Sequence, residues 1–303
     1  MASELDKAFR PFEGTRSAYP IGVFRIAFFS FLALHFFPSL LWLDEAYRPG
    51  ALRTMEWSEW LYGRFGHMSH TELRIWSIAT MAACVMGIVG AWPRIAAIVS
   101  GAGLYLFASF NGLHLQTLAL VPVWAILMLW AICGGGDGAL SVHALMHRKP
   151  GSPVEPRLLS GLVLYQVLLA VFFSGVEKIL AGWPWNNEMG ILLSYPRGFL
   201  VRDWVAGSSL LHASFTTHAL SWFTILAELG TPLGLLFRRT RILSLVIYEV
   251  FFIGIVAMLE VPPLFYGIFA FGGVLALGDA EVERVRSLLQ RRVFRTRSGG
   301  GPS

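Results

Sequence analysis

Eight apolar runs, each long enough to cross a bilayer, leave this chain few ways to fold. They are Tyr19–Trp42, Leu73–Trp92, Ile95–Leu113, Leu115–Cys133, Leu158–Ile179, Phe215–Phe237, Ile242–Leu259 and Pro262–Leu277. A helix rising about 1.5 Å per residue needs about 20 residues to span the ~30 Å hydrocarbon layer. Within that layer every backbone N–H and C=O must be paired inside the protein, which leaves helices or a closed barrel. Barrel strands are about half this length and alternate in polarity, so continuous apolar runs read as helices. The expected fold is an all-α polytopic bundle of about eight transmembrane helices, with further helices lying in the interface. The tight turn at Asn111-Gly112-Leu113-His114 is the one place where a single kinked segment competes with two separate helices.

Only 14% of the residues are charged, against roughly 25% in soluble domains, which removes the soluble enzyme classes. The net charge of +5 does not point to nucleic acid, because the basic residues sit in short loops and at the C-terminus. With a cytoplasmic N-terminus, one side receives Lys7, Arg10 and Arg16, then Arg94, then His147-Arg148-Lys149 with Arg157, then Arg238, Arg239 and Arg241, and finally the arginine-rich tail. The other side receives Leu43–Thr71 and Leu180–Ser214, where acids match or outnumber bases. That asymmetry follows the positive-inside rule and predicts an integral membrane protein, in a bacterial inner membrane, with both termini cytoplasmic.

The chain divides into a cytoplasmic segment at 1–18, a membrane domain at 19–278 and a basic amphipathic tail at 279–303. The first 18 residues are polar, and the run after them is long enough to remain as a span, so no cleavable signal is expected. In the outer loops, Trp57, Trp60, Tyr62 and Phe65, and Trp183, Trp185, Phe199 and Trp204, suit segments lying flat in the interface or covering a cavity mouth. In the tail, Val282, Val285, Leu289 and Val293 share one side amid six arginines, as in a helix resting on anionic lipid.

Chemistry in such a chain falls to the few ionisable and amide side chains within or at the ends of spans. Lys178 closes the run LLSGLVLYQVLLAVFFSGVEKILAGWPW, at the depth where hydrocarbon gives way to headgroups. It reads either as a snorkelling anchor or as a functional cation. Asn111, His114 and Glu260 also fall at outer ends. Glu228 and Glu249 lie mid-span, where a carboxylate must be neutral, paired or facing a wet cavity; both are expected to face the bundle interior. Arg25 is within snorkelling reach of the cytoplasmic face and reads as an anchor. His67 and His70 have metal-pair spacing but no third ligand nearby, and Cys84 and Cys133 are embedded in apolar runs. No metal site is expected. Phosphate-loop, HExxH and GxSxG motifs are absent from the sequence.

Several segments resemble one family in order and spacing. Gly22–Leu34, GVFRIAFFSFLAL, resembles the opening of the membrane domain of vitamin K-dependent gamma-carboxylase and of its bacterial relatives, the horizontally transferred transmembrane (HTTM) family. Trp92-Pro93-Arg94-Ile95 is similar to that family's basic turn, and Asn111–Leu118 to its Asn/His hairpin. Leu140–Leu145 resembles its Ser-Val-Asp-x-Leu motif with His143 in the acid's place. Phe172–Trp183, FFSGVEKILAGW, is similar to the segment bearing the family's catalytic lysine, and Ala227–Pro232 to its Glu-then-Pro element. The resemblance implies a lyase-like carboxylase chemistry. Lys178 would be the general base and His114 its partner, with Asn111, Trp183, Glu228 and Glu249 lining the substrate site. Reduced vitamin K or another quinol would be the cofactor, and a small molecule or peptide the substrate. A lysine acting as base must be neutral, which predicts that Lys178 lacks a close carboxylate partner.

Two features depart from the family. Glu249 stands at its seventh-span histidine, and the chain ends without the large lumenal domain that docks protein substrate in the animal enzyme. Two other readings stay open: a proton-coupled transporter using Glu228 and Glu249, and a non-catalytic membrane partner or assembly protein. The topology itself is directly testable. An engineered cysteine near Trp185 is expected to react with an impermeant thiol reagent from the periplasmic side, and one near Arg148 is not; the reverse pattern would overturn the orientation.

Overall fold

A computed structural model describes residues 13–41, 69–111, 114–146, 153–186, 189, 201–259 and 263–298. For some of these, Asn111 and His114 among them, only the backbone is described. The eight apolar runs form eight helices: α1 (Tyr19–Leu41), α2 (His70–Val89), α3 (Pro93–Asn111), α4 (His114–Cys133), α6 (Arg157–Leu180), α10 (Ser214–Leu236), α11 (Arg241–Met258) and α12 (Pro263–Gly272). Short helices α5 (Val142–Met146), α7 (Trp183–Asn186), α8 (Asp203–Ala206) and α9 (Ser209–His212) lie between them, and α13 (Asp279–Ser298) ends the chain. Five helices contain stretches long and apolar enough to cross a membrane: Tyr19–Phe37, His70–Val89, Arg157–Leu180, Ser214–Leu236 and Arg241–Met258. Pro93–Leu106, Val121–Cys133 and Gly267–Ala276 are shorter apolar stretches. α3 ends at Asn111 and α4 begins at His114, so this stretch forms two helices, and the aromatic segment at 42–68 lies outside the described residues.

Local sequence explains the boundaries. Ser69 caps α2 by accepting from the Glu72 N–H, while the Glu72 carboxylate accepts from the Ser69 N–H, a reciprocal capping box. Gly90 ends the helix in the left-handed conformation, at φ 68°. Pro93 opens α3, at a position where a missing N–H costs nothing. α12 runs for only ten residues before tightening into a 3-10 turn at Gly273–Ala276. Successive long helices pack side by side, and α12 returns to pack on α1, so the eight helices close a ring. Small residues set the close approaches: a Cβ on Gly87 would collide with the Phe29 ring, and one on Gly103 with Thr80. Phe24, Phe28 and Phe29 of α1 gather around Trp130 of α4, all four fully buried.

The basic end of the bundle carries the main departure from an all-α reading. Thr15–Ser17 and Val154–Pro156 pair as a two-stranded antiparallel sheet, β1 and β2, which clasps the start of α1 to the start of α6. Arg16 extends from β1 to the carbonyls of Leu275 and Leu277, at 3.0 and 2.6 Å. The Ser17 N–H donates to Asp279 at 2.8 Å, which fixes the start of α13.

Arg25 corrects its reading as a snorkelling anchor. Its side chain is fully buried, and its guanidinium donates to the carbonyls of Gly136, Leu140 and Ile88. The loop bearing Gly136 and Leu140 is held from its other side by Glu155, which accepts from the N–H groups of Gly136 and Gly138. Only glycine fits at Gly90, where a Cβ would strike the Arg25 guanidinium and Ser141. Turning inward satisfies three carbonyls that would otherwise be stranded at the bundle's edge, a larger gain than lipid-facing snorkelling offers.

Two stability predictions follow from this end. Arg25→Leu strands those carbonyls and should lower stability by about 3 kcal/mol, taking about 1–3 kcal/mol for each unsatisfied group with partial relaxation. Thermal unfolding in detergent reads it, and a silent variant would restore the anchor role. Burial raises the Glu155 pKa above the usual carboxyl range, although its two backbone N–H donors and Arg25 oppose the shift. The folded protein therefore holds this proton more tightly than the unfolded chain does. Its contribution favours folding at low pH and fades as pH rises through the raised value. Glu155→Gln should flatten that part of the stability–pH curve.

Candidate functional site

Lys178 and Glu228 meet where α6 crosses α10, near the end of the bundle opposite the sheet. Lys178 occupies the last turn of α6, where the unsatisfied carbonyls of a helix C-terminus favour a cation. Glu228 sits in the middle of α10, on its buried face. The Lys178 Nζ lies 2.8 Å from both carboxylate oxygens of Glu228 and donates to the Ser174 Oγ at 2.7 Å. Ser174 in turn donates to Glu228 Oε1 at 3.2 Å, closing a three-residue network. The indole of Trp183 covers the ammonium at 5.3 Å, in cation–π range.

Sequence spacing explains why these groups converge. Ser174 and Lys178 are four residues apart and share a helix face. Gly175 lies on the adjoining face, where a Cβ would come within 3.0 Å of Glu228 Cβ and of the Leu229 side chain. Its bare backbone is what lets α10 approach. Pro232, four residues after Glu228, has no N–H to give the Glu228 carbonyl, so the helical ladder is interrupted at the site. The turn Gly182-Trp183-Pro184-Trp185 then folds back over α10, with Trp185 edge-on to Trp222 at 6.4 Å. Beyond it, Arg202 and Trp204 donate to the carbonyls of Val256 and Ala257, tying the start of α8 to the end of α11.

The pairing overturns one expectation. Lys178 has a carboxylate partner at ion-pair distance, with 18% of its side chain exposed and 8% of that of Glu228. The reason is the depth of Glu228: a mid-span carboxylate without a cation is costly, and Lys178 is long enough to reach it from the helix end. Glu177, adjacent in sequence, takes no part in the network.

The remaining candidates are placed as follows. Trp183 joins the network. His114 opens α4 and Asn111 closes α3, and the side chains of both lie outside the described residues, as does Glu260. Glu249 is half-buried on α11 and faces Gly273, where a Cβ would lie 3.3 Å from its Oε1. The interior placement expected of both acids therefore holds for Glu228 and only in part for Glu249. Among the described residues, no hydrogen bond or ion pair joins Glu249 to Lys178. No group of three His, Cys, Asp or Glu side chains that would hold a metal comes together among the described residues. Ser174 and Gly175 stood in the sequence only as part of the FFSGVEKILAGW segment with no role of their own, although the four-residue step from Ser174 to Lys178 marks Ser174.

No family model, curated protein or solved structure matches the chain. The site's chemistry therefore stands on its own residues: a hydrogen-bonded acid–base couple, partly open on one side and roofed by an indole.

Coupling within the pair is measurable. Glu228→Leu leaves an unpaired ammonium at a largely buried crossing and should cost about 3 kcal/mol. Lys178→Met combined with Glu228→Leu should recover most of that loss. Additive losses in a double-mutant cycle would show that the two charges do not depend on one another.

Proposed function

We propose that the chain is an HTTM-type integral membrane protein that removes a proton from a lipid-soluble hydroxyl compound, such as a quinol, at the Lys178–Glu228 couple. The contact of Lys178 with both Glu228 oxygens and with Ser174 carries this reading. Eight spans and two cytoplasmic termini belong to the same proposal. They place the couple at the outer end of the bundle, supported by the basic clusters that gather at the opposite end.

The chemistry follows from the hydrogen bonds. Moving the shared proton from Nζ to Glu228 converts ammonium and carboxylate into amine and carboxylic acid. In a low-dielectric setting the neutral form comes closer in energy to the ion pair. The Lys178 amine can then take a hydroxyl proton, so that the couple carries one extra proton. The ammonium stays beside the negative charge left on the substrate oxygen. Ser174 keeps Nζ in line, and Trp183 offers an aromatic surface against which a ring can lie. Reduced vitamin K or another quinol, when bound, supplies the acidic hydroxyl and the reducing power that a carboxylation of gamma-carboxylase type requires. The fit rests on an acid–base couple at a partly exposed aromatic edge, which suits a flat hydroxylated ring. A buried ion pair is seldom worth more than well-packed apolar residues, so stability alone gives little reason to keep this one.

A second reading is favoured by the completeness of the pairing. With both oxygens of Glu228 engaged, the network also serves as a staple between α6 and α10 in a non-catalytic partner protein. Lys178→Arg separates the two. Arginine keeps the charge and can hold Glu228 bidentately, but it cannot become a neutral base. The enzyme reading predicts that Lys178→Arg in nanodiscs loses quinol consumption by at least about 100-fold, with unchanged thermal stability. The staple reading predicts no change in either.

A further inference from the structure

The buried face of α10 is polar along most of its length. Thr217, Ser221, Thr224, Glu228 and Thr231 follow one another at steps of four, three, four and three residues, which keeps them on one side of the helix. All five are buried, whereas Trp222, Phe223, Leu226 and Leu233 on other sides are exposed as lipid-facing residues are. The face runs from the outer start of α10 to the Lys178–Glu228 couple and one turn beyond.

Two of the hydroxyls are satisfied by their own helix. Thr217 donates to the Ser214 carbonyl at 2.9 Å and Thr231 to the Ala227 carbonyl at 2.6 Å. Ser221 is different. It is 0% exposed, and its Oγ has no hydrogen-bond partner among the described residues. Leaving a buried hydroxyl unsatisfied costs about 1–3 kcal/mol. Water meets that need where several polar groups converge, and the Thr217 and Thr224 hydroxyls flank Ser221 by one turn on either side. The Trp183–Asn186 turn packs on α10 near this level, with Trp185 edge-on to Trp222.

We propose that the Thr217–Ser221–Thr224 face holds a file of water that carries protons between the outer surface and the Lys178–Glu228 couple. The inference rests on the proton-handling role proposed above and supplies the step that role leaves open. A couple that has taken one proton from a substrate hydroxyl must release one before it can act again. That proton passes from the couple to the nearest water, along the hydroxyls, and out at the Ser214 end. The amine and carboxyl groups return to their starting state, and no oxidant or other reactant is consumed.

The test is accessibility to an aqueous probe. Single cysteines replace Thr217, Ser221, Thr224 and, as a lipid-facing control, Leu226, in full-length protein whose Cys84 and Cys133 have been changed to alanine. Silver ion is added from the outer side of reconstituted vesicles, and the fraction of thiol left is read after denaturation. A thiol reacts as its thiolate, which forms in water and not in hydrocarbon. Ser221→Cys and Thr224→Cys should react roughly a hundredfold faster than Leu226→Cys. Rates at both positions as slow as at Leu226→Cys would overturn the proposal and leave the face as dry helix packing. Should Ser221→Cys fail to fold, Thr224→Cys decides by the same comparison. Fast reaction in a protein whose Lys178→Arg variant loses no activity keeps the water file and rejects the enzyme reading. Slow reaction with Lys178-dependent turnover does the reverse.

Discussion

A charge cannot stand alone in hydrocarbon, and most of what is specific in this fold follows from how its few charges are met. Two crossings settle the matter in different ways. At the basic end, Arg25 lies fully buried and meets backbone carbonyls from α2 and from the loop after α4. At the other end, Lys178 meets a carboxylate on α10. The first arrangement joins one cation to several neutral dipoles, which fixes loops and helix ends without a titrating partner. The second joins an acid to a base across a single hydrogen-bond length, so one proton can sit on either. That difference separates a cation held by neutral dipoles from one held beside an acid.

Both crossings rely on residues that contribute by being small. Gly90 leaves room for the Arg25 guanidinium, and Gly175 lets Glu228 come close enough for Lys178 to reach both oxygens. Pro232 frees the Glu228 carbonyl from the helical ladder, and the Trp-Pro-Trp turn lays an indole over the ammonium. The sheet, Arg16 and Asp279 gather the opposite end, so the first strand, the last turn of the ring and the tail helix are fixed together. The half of the bundle bearing the couple is thus built against a tied end.

Much of the architecture was legible because hydrocarbon permits so little. Run length and apolar continuity located seven long helices to within about three residues, whereas the run ending at Leu277 holds a ten-residue helix and a 3-10 turn. Position singled out Lys178 at a span end and Glu228 in mid-span, since ionisable groups there are few, and Trp183 stood out as a site residue only through the resemblance. What stayed hidden was partnership. Lys178 and Glu228 are 50 residues apart, and no local pattern states that α6 and α10 adjoin. Arg25 stood within reach of the interface by count, but only the fold brings three carbonyls to its inner side. The sheet escaped notice because three-residue strands leave no periodicity to read, and the hydroxyl face of α10 went unread because only the fold shows that Ser221 is buried with no hydrogen-bond partner among the described residues.

On the function proposed here, the Lys178–Glu228 couple accepts a proton from a bound hydroxyl compound. Infrared difference spectroscopy on nanodisc-embedded protein tests it most directly, recorded as a reduced quinol is added and with Glu228→Gln used to assign the carboxyl signal. Glu228 is expected to gain the absorption of a protonated carboxyl as the quinol binds, and Lys178→Arg to abolish the change. A Glu228 that stays ionised and unaltered while quinol is consumed would contradict it.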